Sequence, residues 1–289
     1  MSSVEVTASS RSGIMDQGGI DRARSLARTR RWGWWYVAEH RIRAMRAYLI
    51  TFFVTALGSP FLYLAGLGAG LGVMVDQAQG GQGVDGVPYL VFLAPALVLS
   101  GVMQQASQEA TFGVFGGFKW QNTFWAMNSS PVTPRQMVLG FQVSLLARVV
   151  PAAVVYMVAL VVFQLADPLR VLVLLPVAVL LALAVGSGVM AWVSTQENDR
   201  GQLSFIERFV VMPLTLFSGT YYPLETLPAY LHWIGWISPL WHAVQLSRWG
   251  LYGAPESAWL LVVHVAYLAA LAALGMRLST RHFVRRLDK

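Results

Sequence analysis

Few charged side chains fall within or at the ends of the long apolar stretches of this sequence, and the candidates for chemistry are Glu109, Arg148, Glu207 and Arg208. An ionisable group at membrane depth marks a transport path, a proton relay or an interhelical ion pair. Arg148, three residues before Pro151, is the deepest of them, and Glu207 is its candidate partner. A functional pair and a structural ion pair both fit; one arginine does not make a proton relay. Enzymatic chemistry has little to work with. There is no cysteine, hence no thiolate nucleophile or thiolate metal site. His40, His232, His242, His264 and His282 are too dispersed to suggest a metal cage. No Gly-x-Ser-x-Gly elbow occurs, and no spacing supports Ser187 or Ser218 acting with a distant histidine. A P-loop needs a lysine followed by Ser or Thr, to reach the β- and γ-phosphates. The two lysines are Lys119, followed by Trp120, and Lys289, followed by neither. No catalytic residue, metal or cofactor is therefore assigned to this chain.

The elements that position these residues follow from composition. Of 289 residues, 56% are hydrophobic and 12% charged, with a mean hydropathy of +0.53. A soluble domain carries roughly 25% charged residues, and disorder needs low hydrophobicity with high charge. Half the usual charge cannot cover a water-soluble body of this size, so the fold class is an all-α integral membrane protein. The net charge of +7 is not a nucleic-acid signature, because nine of the 21 basic residues lie between Arg11 and Arg46 and five between Arg277 and Lys289. Two basic tails around an apolar middle read as cytosolic anchors against the anionic headgroups of the lipid bilayer.

A helical span needs about 20 apolar residues. Six candidates occur, at about 48–74, 88–108, 136–163, 171–193, 203–219 and 257–277. Residues 1–30 read as a disordered cytosolic tail, 31–47 as an amphipathic interfacial helix, 48–280 as the six-span domain and 281–289 as a second basic tail. In the interfacial helix, Trp35, Ala38, Ile42, Met45 and Leu49 recur at spacings of three or four, beside Trp32, Trp34 and Tyr36. The loop 75–87 has Asp76 and Asp85 but no base, while 109–135 holds Lys119 and Arg135; the first faces outward and the second inward. An even number of spans with both termini cytosolic is self-consistent. Gly66/Gly70 and Gly68/Gly72 form two small-xxx-small patterns, which let helices approach closely in lipid.

Two segments are too specific for a generic bundle. Between Gly116-Gly117 and Ser129-Ser130-Pro131, residues 119–127 predict one short amphipathic helix that exposes Trp120, Phe124 and Trp125. Aromatic anchors of this kind bind a partner, or else lie in the headgroup belt. Thr133 then N-caps a new helix with Pro134 at its first position. The second segment, 213–248, follows a short fifth span with Pro223, Pro228 and Pro239 yet stays rich in Tyr, Trp, Leu and Ile. It predicts two short helices, 227–237 and 239–252, dipping into the outer leaflet. Non-helical backbone at that depth needs a protein or water-filled cover, which suggests a gate or vestibule.

With these pieces in order, the sequence resembles the permease subunits of type-2 ABC transporters, similar to the nodulation lipo-oligosaccharide, polysaccharide and daunorubicin-resistance exporters. The matching residues are Pro131-Val132-Thr133-Pro134-Arg135 leading to Val138-Leu139-Gly140, then Phe217-Ser218-Gly219 with Pro223. Leu227-Pro228, Pro239-Leu240-Trp241-His242 and Arg248 complete them, over roughly residues 35–280. Thr220 departs from the pattern, where the family tends to have a smaller or aliphatic residue.

The resemblance implies an ATP-driven exporter for an amphiphilic, lipid-linked or drug-like cargo in the bacterial cytoplasmic membrane. ATP and Mg would be bound by a separate ATP-binding cassette subunit, two per complex, with a second permease copy or a paralogue completing the path. Residues 32–46 would be the connecting helix. Lys119, Trp120, Asn122, Thr123, Trp125 and Met127 would couple to the ATPase. Phe217, Ser218, Gly219, Tyr221, Tyr222 and Pro223 would sit at an extracellular gate under the re-entrant hairpin between spans five and six. Spans one and five would form the interface and path, with Phe52, Phe53, Phe61, Phe205, Phe209 and Met212 along them. The competing class is an ATP-independent membrane enzyme or ion-coupled carrier.

Overall fold

The computed structural model describes residues 22–48, 66–78 and 83–289, with residues 54, 58, 62 and 80. Among these there is no strand beyond a single bridge between Val84 and Val87; the rest of the regular structure is helical. The helices are α1 (Arg22–Met45), α2 (Val73–Ala78), α3 (Tyr89–Lys119), α4 (Thr123–Asn128), α5 (Pro134–Val162) and α6 (Leu174–Val193). They continue with α7 (Gln202–Ile206), α8 (Met212–Leu216), α9 (His232–Ile237), α10 (Pro239–Tyr252) and α11 (Ala258–Leu287). A π-helical turn, Leu67–Gly72, leads into α2, and another, Glu207–Val211, joins α7 to α8.

Among the described residues, four helices are long and apolar enough to cross a membrane: α3, α5, α6 with its preceding 3-10 turn (Arg170–Val193), and α11. They correspond to the second, third, fourth and sixth predicted spans. The first predicted span, with Phe52, Phe53 and Phe61, lies mostly outside the described residues. The fifth is a short composite of α7, the π turn and α8, ending at Leu216.

The core forms around α6, which packs against α3, α5, α10 and α11. Small residues make this possible: a Cβ on Gly275 of α11 would lie 2.8 Å from the backbone nitrogen of Gly188. Ser279 Oγ donates to the Ser187 carbonyl at 3.0 Å and Ser187 Oγ to the Ala272 carbonyl at 3.2 Å. Ser187 is thus a helix-packing hydroxyl rather than a nucleophile.

The α5 start forms as Thr133 and Pro134 predict, and Gln136 adds a second bond. Gln136 N donates to Thr133 Oγ1 at 3.3 Å and Thr133 N to Gln136 Oε1 at 3.0 Å, a reciprocal capping box with Pro134 at the first helical position. Gln136 Nε2 reaches further, donating to the Arg30 carbonyl at 2.8 Å and tying α1 to α5. Thr133→Ala should therefore cost about 1 kcal/mol, and Gln136→Ala more, read as a graded lowering of Tm in detergent.

Two boundaries and one packed face differ from expectation. Helix α1 starts at Arg22 rather than 31, because residues 22–30 contain Ala, Leu and Arg and neither Gly nor Pro. Its packed face is Gly33, Val37 and Ala38 against α5, while Trp32, Trp35 and Tyr36 point outward. The expected stripe through Trp35 loses because glycines permit closer contact: a Cβ on Gly33 would meet Gln136 Oε1 at 2.6 Å, and one on Gly140 would meet Val37 Cβ at 2.6 Å. The second expected tail, 281–289, is instead mostly the last turns of α11, where Ser279, Phe283 and Leu287 recur every fourth residue and are buried.

Candidate functional site

The bundle has two distinct ends. One gathers α1, α4, the 194–201 loop and the basic end of α11. Lys119 Nζ donates to Asn198 Oδ1 at 3.1 Å, Lys289 Nζ pairs with Glu197 at 2.5 Å, and Arg286 Nη1 donates to the Ser194 carbonyl at 3.0 Å. The nearby Lys289 ammonium holds the exposed Glu197 carboxyl below its ordinary range. That clamp is present above the ordinary carboxylate pKa and is lost as pH falls through the lowered one.

Helix α3 runs unbroken through Gly116 and Gly117 to Lys119, so the expected helix 119–127 is shorter at its start. The break falls at Asn122, whose φ of 54° is left-handed, and α4 begins at Thr123. The two glycines have a different use. A Cβ on Gly116 would lie 2.9 Å from Trp120 Cε3, and one on Gly117 2.8 Å from Phe124 Cδ2. They make room for aromatic rings folding back on α3.

Phe124 is not displayed, as expected from sequence, but 2% exposed. Its ring centroid lies 4.8 Å from Phe118 and 5.0 Å from Phe283, and Arg286 sits over Phe118 at 4.1 Å. Trp125 Nε1 donates to the Phe118 carbonyl at 3.2 Å. Anchored this way, the 119–128 segment presents Lys119, Trp120, Gln121, Asn122 and Trp125 outward, with Thr123 and Met127 half-buried; Trp120 is 60% exposed.

Above this end, Arg148 pairs with Glu109, and Arg41 Nη2 approaches the same carboxylate at 3.9 Å. Arg41 also donates through Nε to Ser144 Oγ at 2.9 Å and lies over the Phe141 ring at 4.0 Å. Burial, then repulsion from Arg148, lowers the Arg41 pKa to about 10. The expected Arg148–Glu207 pair does not form. Glu207, in the π turn, instead accepts from Ser107 Oγ at 2.7 Å and Thr111 Oγ1 at 3.3 Å on α3. Arg148 meets the closer carboxylate on its neighbouring helix, and two hydroxyls satisfy Glu207.

Along the fifth helical segment, Phe205, Phe209 and Met212 are 54%, 65% and 59% exposed, on the side away from Glu207. Phe205 and Phe209 stack at 4.9 Å.

The opposite end holds the predicted gate residues. Gly219 turns the chain at φ 67°, and Arg248 of α10 donates from Nη2 to its carbonyl at 2.9 Å. The Arg248 guanidinium lies 3.6 Å from the Phe92 ring centroid of α3. Tyr89 OH donates to the Tyr221 carbonyl at 2.9 Å, and Tyr222 OH to that of Leu216 at 3.1 Å. Ser218 Oγ bonds the Leu214 carbonyl and Ser238 Oγ, so it too is structural. Thr220, buried, donates to the Thr215 carbonyl at 3.0 Å, which accounts for a hydroxyl there. Phe217 and Pro223 are half-buried at the two shoulders of this turn. Arg248→Gln should free the 217–223 turn, seen as faster hydrogen exchange there with little change in α5 or α6.

Sequence reasoning missed the Arg41–Glu109 side of the ion trio and the role of Arg248. Alternation of charge with small residues on 41, 109, 144 and 148 carries no period that names partners across three helices.

Residues 34–252 match the family described as ABC-2 type transporter. The chain is similar to nodulation protein J of Rhizobium leguminosarum bv. trifolii, 31% identical over 80% of this chain and 85% of that protein. It is 29% identical to nodulation protein J of Rhizobium meliloti (strain 1021), covering 89% and 94% of the two chains. The inner membrane transport permease YadH of Escherichia coli (strain K12) is 27% identical over 59% of this chain and 66% of its own. With apolar membrane-length helices and a match across most of its length, the chain belongs to the ABC-2 type transporter family and is a multi-pass transmembrane component of an ABC transporter.

Proposed function

We propose that this permease is one half of the membrane-spanning part of an ATP-driven exporter, coupled through the 119–128 segment to a separate ATP-binding subunit. The observation that carries the reading is a segment pinned by the buried Phe124 that still displays Trp120 and Trp125. Rigid, exposed aromatics are the usual anchors of a protein interface. In the full assembly two ATP-binding subunits serve two permeases, either identical copies or paralogues, in the bacterial cytoplasmic membrane.

In this reading the chain crosses the membrane six times, with both termini at the cytosolic, basic end. Spans one and five face the second permease. The exposed Phe205–Phe209–Met212 face supports this, as do Gly66 and Gly70, where an added Cβ would meet nothing among the described residues. An aromatic, uncharged lining favours an amphiphilic cargo. Helices α9 and α10 act as a re-entrant lid over the 217–223 gate. ATP closes the partner dimer, α4 moves with it, and the bundle shifts towards an outward-open state; nucleotide can do this only through its differential affinity for the two states.

Trp120→Ala combined with Trp125→Ala should lower ATP-dependent transport in liposomes by at least about thirtyfold, the equivalent of one lost interface hot spot, with Tm unchanged. Transport that proceeds without nucleotide would favour an ion-coupled carrier instead.

A further inference from the structure

A cleft of about 420 Å³ opens between α1, α3, α4 and α5. Arg41, Glu109, Arg148, His40 and Gln108 line it on the polar side; Phe112, 44% exposed, lines it on the apolar side. Glu109 lies ten residues before the end of α3, about 15 Å along the helix at 1.5 Å per residue. That places the cleft near the boundary between headgroups and hydrocarbon at the basic end.

Its charges do not balance. Among the described residues, Glu109 is the one carboxylate lining the cleft, bonded by Arg148 and reached by Arg41 only at 3.9 Å. Two guanidiniums and one carboxylate leave one positive charge over. With its pKa lowered to about 10 by burial and by Arg148, Arg41 still carries that charge at neutral pH. Ser144 Oγ takes one N–H of Arg41 and the Phe141 ring faces its guanidinium plane, but neither supplies an anion. A cation in a partly desolvated site is stabilised by an anion that completes its hydrogen bonds. A guanidinium fork favours planar or tetrahedral oxyanions, phosphate above all. The apolar wall beside it suits an acyl chain.

We propose that this cleft binds an anionic phospholipid of the inner leaflet, its phosphodiester between Arg41 and Arg148 and a chain along Phe112. Trp120 and Phe124 also line the cleft, so the lipid braces the segment that carries the docking surface. A net positive site discriminates against a choline headgroup, whose cation it repels.

The test is native mass spectrometry of the full-length protein after delipidation, with phosphatidylglycerol or phosphatidylcholine added back at equal amounts. One phosphatidylglycerol per chain, preferred over phosphatidylcholine by about tenfold, is expected for a single charge difference in a partly desolvated site. Gln108→Glu, nearly isosteric and outside the ion trio, should cut retention by a similar factor with Tm unchanged. Equal retention of the two lipids, or no effect of Gln108→Glu, overturns the proposal. Millimolar inorganic phosphate should leave the bound lipid in place; displacement by it would make soluble phosphate the ligand and overturn the lipid assignment. No ATP hydrolysis is involved, so the outcome is independent of the coupling reading.

Discussion

Replacing Phe124 with alanine is expected to abolish coupling while leaving the four long helices assembled. The ring is 2% exposed and contacts Phe118 and Phe283, which meet each other at 4.8 Å. Truncating a buried phenylalanine costs about 3–5 kcal/mol. Here the loss falls on a six-residue helix that has little stability of its own, since short helices depend on tertiary packing. The 119–128 segment should therefore fray locally before the bundle unfolds. The measurement is a pair: ATP-dependent transport in liposomes, and hydrogen exchange along α4. Fast exchange confined to residues 119–128 with transport lost is the expected result. Phe124→Leu, which keeps most of the apolar volume, should retain much of both. The contrast with Trp120→Ala and Trp125→Ala is informative, because those residues are mostly exposed and Phe124 stays in place, so α4 should remain far better protected than in Phe124→Ala.

The second large effect is expected at Glu109. Its carboxylate is shared by Arg148 and Arg41 on two other helices, and the three side chains are 17–27% exposed. Breaking a fully buried pair by removing one partner costs 3–5 kcal/mol. Partial exposure here brings the figure to about 2–3 kcal/mol after allowance for solvent screening. Glu109→Gln leaves the two guanidiniums without the carboxylate they share. It should lower Tm by several degrees in detergent, and Arg148→Gln in the same chain should recover part of the loss. Strict additivity of the two changes would show that the pair is not coupled.

Some of this was open to reading in the sequence and some was not, for physical reasons. Long apolar helices announce themselves through composition, so the second, third, fourth and sixth spans were legible, the third and fourth almost to their ends, while α3 and α11 run on as helix past the expected bounds of 108 and 277 to Lys119 and Leu287. The Thr133 cap with Pro134 after it was legible because its chemistry is local; the reciprocal bond from Gln136 is added by the fold. The fate of Phe124 was not. Trp120, Phe124 and Trp125 look alike as a string, and only the arrival of Phe283, more than 150 residues later, decides which ring is covered. The same holds for Glu109, whose partners come from α1 and α5. Gly116 and Gly117 read as a helix break because glycine is a weak helix former. In the fold they are contact surfaces for aromatic rings, and tertiary packing overrides the propensity. Arg248 was visible only as part of a motif; its bond to the Gly219 carbonyl depends on a turn that a string of residues does not display.

The central claim, that an ATP-binding subunit docks on the 119–128 segment, is most directly tested by site-specific crosslinking. The chain has no cysteine, so a single Gln121→Cys introduces one reactive thiol, on an exposed turn beside Trp120. A bifunctional thiol–amine reagent applied to native membranes should join it to one protein of ATPase size, identifiable by mass spectrometry, while Glu225→Cys at the opposite end should not. An ATPase adduct from Gln121→Cys alone is the predicted result. The same adduct from neither position, together with transport in liposomes that needs no nucleotide, would contradict the account.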